Sequence, residues 1–151
     1  MKTERRSVIK RLFASVVGLL GANAIAQGET TAAGKEAFNI TKQDDVPLFS
    51  GSTKYNGLVF VAGKGAHFDG DVKAHADHVL KELEAELKKA GSSMEKVLKV
   101  NVYLADLADY KAMNEVYQGR FGSKPPVRTT VATYGGVPGN SLVEMDCIAY
   151  V

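Results

Sequence analysis

The chain has a single cysteine, Cys147, among its 151 residues. No intrachain disulfide can therefore form, even in an oxidising compartment. Cys147 lies in a strand-like run with Val143, Met145 and Ala149 on the same side. Because free cysteines are among the most buried residues, this position predicts a core thiol and not a nucleophile.

Proline is also scarce, with four residues, and the chain has no internal repeat or low-complexity block. Hydrophobic residues make up 45% of the chain and charged residues 24%. These totals are typical of one globular domain and exclude fibrous and disordered classes. The apolar run of residues 12–20 is too short to cross about 30 Å of hydrocarbon comfortably.

The first 26 residues have the pattern of an export signal. The basic RRSVIK of residues 5–10 precedes the apolar run, and the Ala-Ile-Ala of residues 24–26 provides a cleavage site. Paired arginines followed by apolar residues and a lysine favour a bacterial twin-arginine signal. We therefore expect a periplasmic or exported protein with no stable membrane span after signal removal. An ordinary secretory signal or an uncleaved amphipathic start are the alternatives.

The precursor's positive charge belongs to this predicted signal. Residues 1–26 contain five of the 19 Lys and Arg residues and one of the 17 Asp and Glu residues, so residues 27–151 carry 14 positive and 16 negative side chains, a net −2 against +2 for the whole chain. Nucleic-acid binding needs a basic face, so this balance predicts no nucleic-acid partner.

Two helices and several strands follow from the sequence pattern. Residues 27–45 are predicted to form a flexible N-terminal segment, with a short strand possible at 38–40 and a loop at 44–47. Asn56-Gly57 predicts a turn before a buried strand at 58–62. Asp71 is expected to cap a helix over residues 72–90 that stops at Gly91, with an apolar stripe on one face. Residues 96–104 alternate as a strand, and Asp109 and Gly122 are expected to bound a second helix.

The end of the chain provides the candidate chemistry. Two prolines at 125–126 direct Arg128 into a predicted strand, and a second strand at 142–151 carries Glu144 in an apolar setting. A guanidinium and a carboxylate on neighbouring strands indicate a site for a small anion and a water. Strands in this order with two amphipathic helices predict an α+β mixed sheet with both helices packed on one face. The other face is partly apolar, so we expect self-association.

These segments resemble the RidA (YjgF) family of reactive-intermediate deaminases over residues 46–151. The most specific motifs are the Pro-Val-Arg of residues 126–128 and the Val-Glu-Met of residues 143–145. Residues 58–63, 100–107 and 109–117 support the resemblance.

The resemblance implies a chorismate-mutase-like fold and a homotrimer with three clefts between subunits. It also implies hydrolysis of small 2-imino or enamine carboxylates to 2-keto acids and ammonia, with no metal or organic cofactor. By position, Arg128 matches the arginine that binds the substrate carboxylate, and Glu144 the carboxylate that holds the attacking water. Asn114 matches a cleft residue on a helix, and Gly63 a backbone contact.

The sequence departs from the family pattern at three pocket positions. The family's cleft tyrosine falls at Phe49, its serine before the strand-ending glycine at Ala62, and its frequent cysteine at Thr130. Hydrogen-bonding groups are thus lost or altered, each worth about 0.5–1.5 kcal/mol. A more apolar imine or a weaker activity becomes plausible, and the alternative function is a non-catalytic module that binds a small carboxylate or a protein.

Other motifs have simpler interpretations. Arg128 and Glu144 could form only a structural ion pair, and Asn114 could be only a helix residue. His75 and His78, with Asp77, lack further converging ligands, so solvated histidines are expected and no metal site. A lone G-x-G at residues 63–65 does not predict a dinucleotide site. RNA cleavage is disfavoured by the charge and by the lack of a catalytic histidine pair.

Overall fold

The computed structural model describes residues 34–151, so the predicted export signal of residues 1–26 lies outside the described part of the chain. The described residues form a six-stranded mixed sheet with two helices packed on one face, which confirms the predicted α+β fold. In chain order the elements are β1 (Glu36–Gln43), β2 (Val46–Tyr55), β3 (Leu58–Lys64), α1 (Val72–Lys89), β4 (Val97–Leu104), α2 (Tyr110–Tyr117), β5 (Val127–Ala132) and β6 (Val143–Tyr150).

The strands are arranged in the order β1-β2-β3-β6-β4-β5. The pair β4 and β5 is parallel, because α2 and its loops cross between them, and the other neighbours are antiparallel. This order makes β5, which carries Arg128, an edge strand, and it places β6, which carries Glu144, inside the sheet.

The core lies between the helices and one face of the sheet. Alternate residues of β6 enter it, and Cys147 is among them, as the sequence predicts. Burial raises the pKa of the Cys147 thiol to about 12, so this sulfur is held neutral. The helices contribute fully buried side chains that interdigitate with the sheet, namely Ala76, Val79, Leu80, Leu83, Leu87 and Met113.

The first helix has the predicted ends. The Asp71 carboxylate accepts a hydrogen bond from the Ala74 backbone N–H at 2.8 Å, and Gly91 follows the helix with a φ of +83°. The second helix begins directly after Asp109, as predicted, but its expected end is wrong. It ends at Tyr117, before Gly119 with a φ of +79°, and not at Gly122. Asp109 makes no side-chain capping bond; Asp106 instead accepts from the Ala108 backbone N–H at 2.9 Å.

The N-terminal part of the domain differs from the sequence prediction. Residues 36–43, in which only the possible strand at 38–40 was predicted within a flexible segment, form β1. Val46 and Pro47, predicted to lie in a loop, begin β2. Two tight turns with positive φ join the first three strands, at Asp44-Asp45 and at the predicted Asn56-Gly57. Much of β1 and the start of β2 is exposed on both faces, so the apolar–polar alternation that identifies a strand is absent there.

The face of the sheet away from the helices is uncovered, as expected. We call it the open face; its apolar members include Leu58, Phe60, Ile148 and Tyr150. Within residues 34–151, neither helix combines the length and the apolarity that a membrane crossing needs.

Candidate functional site

Arg128 lies on the helix-covered side of the sheet, at its β5 edge. Its register partner on β4 is the buried Val100, and register partners of neighbouring strands point to the same face. The guanidinium carbon lies 4.6 Å from the ring centre of Tyr117 and 5.6 Å from that of Tyr110. Arg128 Nη2 donates a hydrogen bond to Tyr110 Oη at 3.1 Å. Two tyrosines of α2 therefore hold the guanidinium.

Two buried hydroxyl groups near this guanidinium have no hydrogen-bond partner among the described residues. They belong to Tyr117, which packs under Arg128, and to Thr130, which shares the face of β5 with Arg128. Burial raises the pKa of Tyr117 to about 12, although the charge of Arg128 opposes the shift. An unpartnered buried hydroxyl costs about 1–3 kcal/mol, so a polar ligand that reaches these groups would recover stabilisation.

Asn114 belongs to the same group of side chains. It lies one helical turn after Tyr110 on α2, and it is half-buried. A hydrogen bond with Asn114 and the nearby charge of Arg128 lower the pKa of Tyr110. The structure thus brings together three of the predicted site residues, Arg128, Asn114 and Thr130. We call them, with Tyr110 and Tyr117, the arginine cluster.

Glu144 and Gly63 meet elsewhere, on the open face. Their strands, β6 and β3, are neighbours, and a side chain on Gly63 would collide with the Glu144 carboxylate. Glu144 can lie over this position because a glycine backbone leaves the space free. Next to it, the Asp146 carboxylate accepts hydrogen bonds from Asn101 Nδ2 at 2.9 Å and Tyr103 Oη at 3.0 Å.

The sequence prediction that Arg128 and Glu144 lie on neighbouring strands is wrong, because β4 lies between β5 and β6 in the sheet. Residues of β6 alternate between the core and the open face, and Glu144 lies on the open face while Arg128 lies on the helix side. The two side chains therefore lie on opposite faces of one sheet and do not form the ion pair considered as an alternative.

Phe49 is also distant from the arginine cluster. It lies on β2, near the opposite edge of the sheet, with β3, β6 and β4 between β2 and β5. The side chain is 55% exposed and lines a shallow cavity of about 460 Å³ with Ile40, Leu48 and Thr53. Because the Phe49 ring has no hydroxyl, this residue adds no hydrogen-bonding group to the arginine cluster or to the surroundings of Glu144.

The histidines do not form a metal site. Within the part of the chain that the structure describes, no group of three or more His, Cys, Asp or Glu residues could hold a metal ion. The expectation of a solvated His75 is wrong, because this residue is 2% exposed. Its Nε2 donates to the Phe68 carbonyl at 2.8 Å, and its Nδ1 accepts from the Leu142 backbone N–H at 3.0 Å. His75 thus fastens the start of β6 to α1.

The sequence pattern predicts no functional role for Tyr110 or Tyr117. A tyrosine ring packs like other aromatic rings, so Tyr110 and either Val116 or Tyr117 are predicted only to share the apolar face of the second helix. Their spacing of seven residues, two helical turns, was the available signal that both rings reach the same neighbour.

Comparison with known proteins matches this architecture. The family model described as Endoribonuclease L-PSP matches residues 43–151. A RutC family protein of Pyrococcus abyssi is 38% identical over 109 residues, covering 68% of this chain and 85% of that protein. The chloroplastic Reactive Intermediate Deaminase A of Arabidopsis thaliana is 34% identical over 108 residues, covering 67% of this chain and 57% of that protein.

Solved structures agree in fold. A member of the YjgF protein family from Neisseria meningitidis superposes with a TM-score of 0.70 at 25% identity, covering 79% of this chain and 96% of that one. Yeast Mmf1 gives a TM-score of 0.66 at 27% identity, covering 76% and 92%. The family model covers β2 to β6 and both helices. This chain therefore belongs to the Endoribonuclease L-PSP family, the RutC/RidA (YjgF) family.

Proposed function

We propose that this protein hydrolyses small 2-imino carboxylates, or the enamines that form them, to 2-keto acids and ammonia. The observation that carries the proposal is the arginine cluster: a guanidinium with no carboxylate partner among residues 34–151, beside two unpartnered buried hydroxyls. The name of the Arabidopsis relative, Reactive Intermediate Deaminase A, supports the same chemistry.

The arginine cluster suits a carboxylate. Arginine presents five N–H donors in a planar fork that can pair both oxygens of a carboxylate. Tyr110 accepts from one of these donors, and the ring of Tyr117 covers one face of the guanidinium, so another edge stays available. A hydrogen bond to a charged group contributes about 1.5–3 kcal/mol net. Thr130 Oγ1 is the polar atom on the same strand face that can extend this contact.

The hydrolysis itself needs a water and a base, and we assign the base to Glu144. On the protonated imine, the Glu144 carboxylate takes one proton from the water while the water oxygen bonds to the imine carbon and the C=N π electrons move to nitrogen, which gives an amine. Glu144 then returns that proton to the nitrogen. The carbon–nitrogen bond breaks, ammonia leaves, and the hydroxyl proton passes to Glu144 as the carbonyl forms. Orientation of the bound imine supplies much of the rate. Gly63 allows Glu144 to occupy its place on the open face.

Because Arg128 and Glu144 lie on opposite faces of one sheet, this proposal requires a second copy of the chain. We propose a homotrimer in which each cleft takes Arg128 from one subunit and Glu144 from its neighbour. Two features support it: Arg128 lies on an edge strand, where a neighbour can approach, and the open face that carries Glu144 is uncovered and partly apolar.

The test couples an amino-acid oxidase, which makes 2-imino acids in solution, to trapping by semicarbazide. We expect the wild-type protein to reduce semicarbazone formation and Arg128→Ala to abolish this effect. Arg120→Ala is the matched control, since Arg120 pairs with Asp77 on the surface and lies outside the arginine cluster. Equal trapping with and without the wild-type protein would contradict deaminase activity.

That contradicting result would favour the second candidate, a non-catalytic module that binds a small carboxylate. Phe49 and Ala62 favour it, because each lacks the hydroxyl that the family pattern places there. Restoring the first of these groups with Phe49→Tyr should raise activity if the missing hydroxyl limits turnover. If Phe49→Tyr shows no gain in activity and still binds carboxylates, the result supports the binding module.

RNA cleavage is a weaker candidate, although the description of the matching family model names an endoribonuclease. Residues 27–151 carry a net charge of −2, and a polyanion needs a basic surface. Of the three histidines in the sequence, His75 is buried with both ring nitrogens in hydrogen bonds. His75 therefore has no free ring nitrogen with which to serve in a catalytic pair of histidines.

We also propose that the domain is exported through a twin-arginine signal in residues 1–26, on the sequence pattern alone. Replacing Arg5 and Arg6 together with lysine should retain the protein in the cytoplasm in cell fractionation, whereas Lys2→Arg should not. The exported form should begin at Gln27 in N-terminal sequencing. Export of the double-lysine variant at the normal level would indicate an ordinary secretory signal.

A further inference from the structure

Tyr110 is an exposed residue of α2 whose hydroxyl contacts the proposed carboxylate-binding arginine. Its side chain is 42% exposed, and its Oη accepts the hydrogen bond from Arg128 Nη2 at 3.1 Å. We propose that Tyr110 is a positioning residue that orients the Arg128 guanidinium for a small carboxylate and weakens that binding when its own hydroxyl ionises. The inference rests on the carboxylate site of the proposed function and adds a residue to it.

The geometry explains why the hydroxyl is needed. Arg128 is on an edge strand, so no further strand confines its long side chain. The ring of Tyr117 lies 4.6 Å from the guanidinium carbon and limits where the guanidinium can sit, but its hydroxyl makes no hydrogen bond within residues 34–151 that would set the rotation of the group. The hydrogen bond to Tyr110 fixes this rotation and uses one of the five donors. The guanidinium is then preorganised, which reduces the entropy lost when a carboxylate binds.

The charge state of Tyr110 changes the site. Arg128 stays protonated at all accessible pH values, so a neutral Tyr110 leaves a full positive charge for the ligand. A phenolate would pair with the guanidinium and repel a carboxylate. The hydrogen bond with Asn114 and the charge of Arg128 both lower the pKa of Tyr110, and Tyr117, with a pKa of about 12, stays neutral beside it. Carboxylate binding should therefore weaken as the pH rises through the lowered pKa of Tyr110.

The experiment measures pyruvate binding to the purified protein by titration calorimetry between pH 7 and pH 10. Pyruvate is a simple 2-keto acid and needs no turnover. At pH 7 we expect Tyr110→Phe to raise Kd about 2- to 10-fold. The wild-type Kd should rise toward alkaline pH, while that of Tyr110→Phe should stay nearly level. Tyr134→Phe is the matched control, because Tyr134 is fully exposed; it should behave as wild type.

Several results would overturn the positioning role. The first is that Tyr110→Phe has the wild-type Kd and the wild-type pH profile. The second is that Kd still rises at alkaline pH in the variant without the hydroxyl. The third is that the wild-type protein does not bind pyruvate. Failure of the proposed function is a separate result. If wild type binds pyruvate with the expected profile but does not reduce semicarbazone formation, the deaminase proposal fails and the role of Tyr110 stands.

Discussion

The Arg128 side chain lies against aromatic rings and not against a carboxylate. Tyrosine rings stabilise a guanidinium through their π faces without neutralising its charge. An ion pair with a buried glutamate would have neutralised the guanidinium and left none of its charge for a ligand. Because Arg128 is held but not neutralised, its charge remains available to an anion at the edge of the sheet.

His75 is buried because both of its ring nitrogens make hydrogen bonds with the backbone. A neutral imidazole donates through one nitrogen and accepts through the other, and here both bonds join α1 to the backbone on either side. The helical pattern placed this residue on the flank of the apolar stripe, where a solvated side chain was the natural expectation. The backbone groups of Phe68 and Leu142, distant in sequence, decided its burial.

At the residue scale, Gly63 offers a test of how Glu144 is positioned. A methyl group on Gly63 would collide with the Glu144 carboxylate and force it away from its place. We expect Gly63→Ala to lower kcat in the imine assay by about 10- to 100-fold, because small misplacements of catalytic groups cost this much. Gly34→Ala is the control, since nothing lies within 4 Å of a side chain there. Unchanged kcat in Gly63→Ala would argue against Glu144 as the base.

At the element scale, a buried carboxylate joins the N-terminal hairpin to the rest of the domain. Glu86 of α1 is 3% exposed and accepts hydrogen bonds from Asn39 Nδ2 at 2.7 Å, Ser52 Oγ at 2.9 Å and Lys64 Nζ at 3.3 Å. These donors come from β1, β2 and β3. One charged side chain thus joins three strands to the helix, and two of them, β1 and β2, are the strands with the least apolar pattern.

This arrangement predicts pH-dependent stability. Burial alone would raise the pKa of Glu86, but the hydrogen bonds from Asn39 and Ser52 and the charge of Lys64 outweigh it and lower the pKa below 4.5. The ionised carboxylate therefore stabilises the folded state above about pH 4.5, and this stabilisation is lost as pH falls through the folded-state pKa. Glu86→Gln should cost about 1–3 kcal/mol at pH 7 and much less at pH 3.

Urea unfolding at several pH values measures this difference. Glu82→Gln, an exposed change on the same helix, should alter the free energy of unfolding by less than about 0.5 kcal/mol at every pH. A Glu86→Gln variant as stable as wild type at pH 7 would show that the hairpin does not depend on this carboxylate.

At the scale of the whole molecule, the sheet has one covered face and one open face. The open face carries apolar residues beside Glu144 and the Asp146 network, a mixture typical of an interface between subunits. The arginine cluster and Glu144 are separated by the sheet in one chain. Assembly is therefore the step that would unite them, and activity should depend on it.

A charge on the open face tests this dependence. Phe60 is 43% exposed there, opposite Ile148 on β6. We expect Phe60→Glu to lower the molar mass measured by light scattering toward that of a monomer and to remove imine hydrolysis, although neither Arg128 nor Glu144 changes. Ala85→Glu, on the outer face of α1, should keep both properties. An active monomeric Phe60→Glu would show that one chain contains the whole site.

The sequence by itself determined the elements whose patterns are local. Each of these patterns involves residues that are close together in the sequence: the apolar stripe and Asp71 cap of α1, the alternation of β4 and β6, and the Asn56-Gly57 turn. It also determined the family, since the motifs around Arg128 and Glu144 are continuous stretches of chain. The exposed strand β1 and most of β2 have no such pattern, so only residues 38–40 of β1 were predicted as a possible strand and β2 was not predicted.

Only the tertiary structure decided on which face of the sheet each functional side chain lies. A shift of one residue in strand register moves every side chain to the other face, and the pairing of β4, β5 and β6 is set by packing between distant segments. For this reason the separation of Arg128 from Glu144 could not be inferred from spacing along the chain. The spacing of Tyr110 and Tyr117 puts both rings on one side of α2, but it does not show that Arg128 is their shared neighbour.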